Sequence, residues 1–171
     1  TRKHKTVSNE NEADLKMQQR YSEIFPRTYE YAEDYSWILA ERVQPIGNAD
    51  LASIFDIPAD LLLLENRKEY VKLMEQTTQA MNSGGTLNED DSATAVLDPW
   101  RGAHAKDILD DVQPESHPMV ENILADSHNR QLFRAVAALG IPPRELTAKN
   151  LGISKFGGDH LVILDASLWE Y

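Results

Sequence analysis

The chain has 171 residues, 42% of them hydrophobic, which is enough for one domain with a buried core and excludes wholesale disorder. It has no cysteine, which excludes disulfides, thiolate chemistry and thiolate zinc sites and leaves its redox compartment unreadable. The formal charge of −11 argues against a nucleic-acid backbone as the main partner, because phosphate binding is built on an excess of Lys and Arg.

Near the N-terminus, Arg2, Lys3 and Lys5 are followed by Asn and Glu rather than an apolar export core, so the default placement is cytoplasmic. Ala13, Met17, Tyr21 and Ile24 fall on one face of a helix from Asn9 to Ile24, which Pro26 ends. Thr28–Tyr31 and Trp37–Val43 read as strands around a Glu33-Asp34 turn. Asn48 and Asp50 cap a short helix through Phe55, and Pro58 opens a longer one to about Asn82. Its buried stripe is Leu61, Leu64, Tyr70, Leu73, Met74 and Met81. The four-leucine run Leu61–Leu64 is far too short for a membrane span.

From 83 to 116 the chain reads as an acidic loop. Between Thr86 and Asp126, ten acidic residues stand against Arg101 and Lys106. The stretch reads first as a solvated loop, with a surface for a basic protein partner and a DNA mimic as alternatives. Pro118 then opens one core helix to Leu139, closed by Gly140. Two short strands follow, Leu151–Ser154 and Leu161–Leu164, with Phe156-Gly157-Gly158-Asp159 as the hairpin turn. His104, His117, His128 and His160 share no metal-ligand spacing.

Chemistry enters in the tail. Arg144-Glu145-Leu146-Thr147-Ala148-Lys149-Asn150 resembles the protein-kinase catalytic loop His-Arg-Asp-Leu-x-x-x-Asn in order and spacing. The strand Leu161–Leu164 running into Asp165-Ala166-Ser167 is similar to the strand that delivers the Asp of the Asp-Phe-Gly motif. Leu39–Val43 looks like the hinge strand, and the first helix looks like the small-lobe helix αC. Small kinase-like proteins of phage and bacterial origin are the nearest likeness, through an Asn-x-x-Glu start and a Tyr-x-Trp strand.

The resemblance implies an α+β, mainly helical fold, like a protein-kinase C-lobe with a reduced N-lobe of one helix and two strands. The N-lobe remnant is 1–43 and the C-lobe 44–171. It implies ATP and magnesium as cofactors. Asn150 and Asp165 would be metal ligands and Glu145 would stand at the catalytic-base position. Ala40 (at the gatekeeper), Glu41 and Val43 would lie at the nucleotide, with Glu12 as the αC Glu; helical geometry leaves Glu10 open as the alternative.

The departures point away from efficient transfer. Glu145 is one methylene longer than Asp, Pro143 replaces His, and Ala166-Ser167 replace Phe-Gly. No Gly-rich loop or strand-3 Lys precedes the αC-like helix, and no activation segment follows. The expectation is a pseudokinase acting by binding a protein partner, in a host cytoplasm or virion if phage-encoded. The alternatives are a piece of an active kinase and an acidic inhibitor or structural protein of kinase ancestry.

Overall fold

Leu51, Phe55, Met74, Ile123, Leu132 and Phe133 are all sealed from solvent and anchor a helical core. The computed structural model describes residues 7–21, 23–83, 112–156 and 158–164. They form an α+β, mainly helical chain of five α-helices and two small sheets. By contacts the chain divides into two units: Thr1–Ile46 with Lys149–Tyr171, and Gly47–Ala148. They are called here the terminal unit and the helical unit.

In the terminal unit, α1 spans Val7–Arg20 and buries Ala13 and Leu15. It stops four residues before Ile24. The Ile24 carbonyl accepts from the Ile163 N–H at 2.8 Å, and Pro26 disfavours helical backbone at Phe25. Strands β1 (Thr28–Tyr31) and β2 (Ile38–Ala40) pair antiparallel, Glu30 opposite Leu39 and Tyr31 opposite Ile38, with a bulge between Thr28 and Glu30. Their turn is built by Ala32 N–H to the Trp37 carbonyl at 3.0 Å and Tyr35 N–H to the Ala32 carbonyl at 2.9 Å. Ser36 donates to Asp34, from its side chain and its backbone, and holds that carboxyl below the usual range. Tyr35 takes a left-handed φ of 58°, and its carbonyl accepts from Asn11 Nδ2 of α1 at 2.8 Å.

The strand read from Trp37 to Val43 is shorter, with residues 41–43 outside any strand. β2 ends at Ala40, and β3 (Gln44–Pro45) pairs with β4 (Leu151–Ser154) in a different sheet. The break falls where the Glu41 side chain and backbone are bonded to Arg27 and Ser154. β4 pairs antiparallel with β5 (His160–Ile163), Leu151 opposite Ile163 and Ser154 opposite His160. The sheet order is therefore β3-β4-β5. Pro45, which has no N–H to donate, lies on an edge strand of that sheet, as a proline must.

In the helical unit, α2 (Asn48–Phe55) opens with the Gly47 N–H donating to Asp50 Oδ2 at 2.9 Å. It closes on Asp56 in left-handed backbone. The expected long helix from Pro58 begins later. Two 3₁₀ turns, Ala59–Leu62 and Leu64–Asn66, precede α3 (Arg67–Ser83), separated by an extended Leu63 with ψ 146°. Leu64, read as part of the buried stripe, is consequently 82% exposed, whereas Tyr70, Leu73 and Met74 are buried. Most of the acidic stretch lies outside the described residues, which resume at Val112; Pro114–Ser116 is a 3₁₀ turn.

The core helix read from Pro118 to Leu139 is two helices, α4 (His117–Leu124) and α5 (Ser127–Leu139). Asp126 breaks it by capping α5: its Oδ1 accepts from His128 N–H at 2.8 Å and Asn129 N–H at 3.1 Å. Arg130 then donates to the Leu124 and Ala125 carbonyls at 2.9 and 3.3 Å, and Asn129 to those of Ile123 and Ile54 at 3.0 and 3.2 Å. The last carbonyls of a helix lack intrahelical partners, and these two side chains serve them. Gly140, at φ 65°, ends α5. Phe55 and Phe133 meet at 5.7 Å between centroids, tilted by 49°.

Candidate functional site

Glu145 belongs to the helical unit, in a 3₁₀ turn over Pro143–Glu145. Proline at 142 and 143 presets φ for that turn. Glu145 N–H donates to the Pro142 carbonyl at 2.9 Å, and Thr147 N–H to the Glu145 carbonyl at 2.9 Å. Its Oε1 lies 3.7 Å from Arg144 Nε, a solvent-facing pair of little energetic weight. What fixes the turn is Tyr70 of α3, whose phenol donates to the Leu146 carbonyl. Burial pushes that phenol well above its usual value. Sequence reading took Tyr70 only as apolar stripe; no local signal marks a bond across 76 positions.

The remaining sites with described structure lie in the terminal unit. Asn150 closes a 3₁₀ turn, is 9% exposed, and leads into β4. Its carbonyl accepts from Leu164 N–H at 3.0 Å, extending the β4–β5 ladder by one step. Asp165 is the next residue in sequence and lies outside the described residues.

The segment after β2 is held against β4. Ser154 Oγ lies 3.1 and 3.0 Å from the two carboxylate oxygens of Glu41, and Arg27 N–H donates to Glu41 Oε1 at 2.9 Å. Phe156 N–H in turn donates to Ser154 Oγ at 3.3 Å. Arg27 stacks on the Phe156 ring at 4.3 Å, and Tyr29 meets the same ring at 6.2 Å. Val43 sits over Gly152: a Cβ at 152 would fall 2.2 Å from Val43 Cγ1 and 3.2 Å from Leu164 Cδ2. Glycine is required there by the approach of side chains, not by its own φ. Ala40, at the end of β2, is exposed.

Glu12 is half-buried on α1, and its Oε1 pairs with Lys16 of the same helix at 2.7 Å. The side chain of Glu10 lies outside the described residues.

Within this unit the structure thus brings together Glu41, Val43 and the strand that follows Asn150. Among the described residues there is no cluster of three or more metal-ligating His, Asp or Glu side chains, so the described part of a magnesium site would be Asn150 alone. Its amide oxygen, with a carboxylate, is the donor type a hard divalent cation takes. No helix among the described residues is long and apolar enough to cross a membrane. A scan against protein-family models and searches of curated proteins and of solved structures find no match to this chain.

Proposed function

We propose that the chain is a kinase-like protein with a degenerate catalytic apparatus, acting by binding a protein partner rather than by efficient phosphoryl transfer. The observation that carries the kinase likeness is the β4–β5 hairpin. Asn150 opens it, the ladder closes by Leu164 N–H to the Asn150 carbonyl, and Asp165 follows in sequence. This is the order in which kinases present their two metal-holding residues. The pairing of β3 with β4, and of Glu41 with Ser154, is consistent with a hinge-like segment beside that hairpin.

Under this reading Asn150 and Asp165 would hold magnesium, which when bound bridges the nucleotide phosphates and neutralises charge developing on them. Glu145 would orient a substrate hydroxyl, from a turn that Tyr70 steadies. Three departures argue for weak chemistry. A Glu in place of Asp displaces the carboxylate by a methylene, and misplacement by about 1 Å can cost about 100-fold in rate. Proline at 143 and Ala166-Ser167 remove the flanking residues of both motifs.

The test is calorimetric titration with Mg-ATP of the chain and of Asp165→Ala. Saturable binding that the variant loses supports a surviving nucleotide and metal site; a phosphotransfer assay with Glu145→Ala then separates enzyme from pseudokinase. Absence of heat at about millimolar nucleotide, roughly the −4 kcal/mol limit of useful affinity, sinks the nucleotide half of the proposal.

A further inference from the structure

Eight large apolar side chains are exposed among the described residues, and four of them lie on or beside the two strands of one hairpin. Tyr29, Tyr31, Trp37 and Leu39 are each about half exposed, at 51%, 47%, 50% and 51%. Among the described residues the sheet has only β1 and β2, so each is an edge strand. Such an edge offers backbone groups for a further strand, and two strands alone are marginal until a third strand or a packed layer completes them. Tyr31 pairs with Ile38 on one face and Leu39 with Glu30 on the other, so exposed apolar side chains flank the strands on both faces and a strand added at the edge would meet apolar and acidic side chains in turn.

The chemistry of the occupant follows from charge. Between Arg27 and Arg42 there is no Lys or Arg, while Glu30, Glu33 and Asp34 are all exposed. Glu30 stands opposite Leu39 in the register and so shares its face. A second copy would set these carboxylates against themselves, on chains of formal charge −11 each. We propose that the β1–β2 hairpin is a strand-docking surface, taking an extended protein segment that alternates apolar residues with Lys or Arg. Main-chain pairing supplies affinity in such docking and alternate side chains supply selectivity. The surface stands without the nucleotide reading and gives the partner-binding role a location.

The test uses Trp37 as reporter in a Trp100→Phe/Trp169→Phe chain, titrated with a peptide of about nine alternating Val and Lys residues, within the usual range of strand lengths. The expected result is a saturable change in Trp37 emission. It weakens by at least about tenfold, a clear affinity step, when Glu replaces Lys in the peptide and when alternate peptide backbone nitrogens are methylated. The same loss is expected for Glu30→Lys/Glu33→Lys, while Glu121→Lys on α4 leaves binding unchanged. Equal binding of the N-methylated peptide, equal loss with Glu121→Lys, or no emission change overturns the proposal. So does a Trp37 change that tracks protein concentration alone with dimer formation in sedimentation, which would assign the surface to a second copy. The N-methylated peptide is read on the unaltered surface, so the test holds even if a charge variant misfolds.

Discussion

The hydroxyl of Ser154 lies within 3.1 Å of both carboxylate oxygens of Glu41, joining residues 113 positions apart in the chain. Ser154 is 2% exposed and Glu41 half-buried, so a donor removed here is not fully replaced by water. Hydrogen bonds to charged groups contribute about 1.5–3 kcal/mol. Ser154→Ala should therefore lower unfolding free energy by about 1–2 kcal/mol, and Glu41→Gln by a similar amount. Denaturant melts of the two single variants and the double variant check this. Because the residues share one bond, the double variant should lose much less than the sum; strict additivity would show that the contact contributes nothing.

Gly152 leaves no room for a methyl group. With Val43 Cγ1 2.2 Å from the position of an added Cβ, Gly152→Ala must push Val43 or β3 away. Overpacking of this kind costs about 1–3 kcal/mol. Val43→Ala in the same chain removes the obstructing atom and should recover part of the loss. Thermal melts that show Gly152→Ala as stable as the parent would mean that β3 does not lie against β4 in solution.

Tyr70 gives a pH signature. Its phenol is raised above the ordinary value of about 10 by burial, so above that pH the unfolded chain releases this proton and the folded chain keeps it. The stabilisation is full below pH about 10 and falls as pH rises further. Tyr70→Phe leaves the Leu146 carbonyl without its phenol donor and should cost about 1–3 kcal/mol near neutrality. It should also flatten the decline of stability above pH 10. Denaturation at intervals from pH 8 to the alkaline limit of refolding decides the matter, and an unchanged slope would show that another group titrates.

Parts of this architecture were legible in the residues themselves. Two apolar runs separated by Phe156-Gly157-Gly158-Asp159 gave β4 and β5, one residue late at the second strand. Asn48 and Asp50 marked α2, although Gly47 takes the cap and Asp50 serves it from inside the first turn. The break at Asp126 was missed because Val120, Ile123, Leu124 and Leu132 keep a helical apolar pattern straight across it. The signal was present, since Asp is among the residues preferred at a helix N-cap. Leu64 was misplaced for the opposite reason, its spacing fitting a stripe whose backbone the extended Leu63 interrupts.

The candidate site divides in the same way. Asn150 and the hairpin were readable because they are local, whereas the Glu41–Ser154 and Tyr70–Leu146 contacts depend on chain segments that meet only after folding. The break of the strand after Ala40 has that same non-local origin.

The first turn of α5 carries a consequence for how the helical unit opens. Asn129 and Arg130 occupy the trailing carbonyls of both α2 and α4. The C-terminal ends of those two helices therefore cannot fray one at a time without stranding a buried amide or guanidinium. Amide exchange near Ile54, Ile123 and Leu124 should proceed at a common rate set by the departure of α5, making three helices a single cooperative foldon.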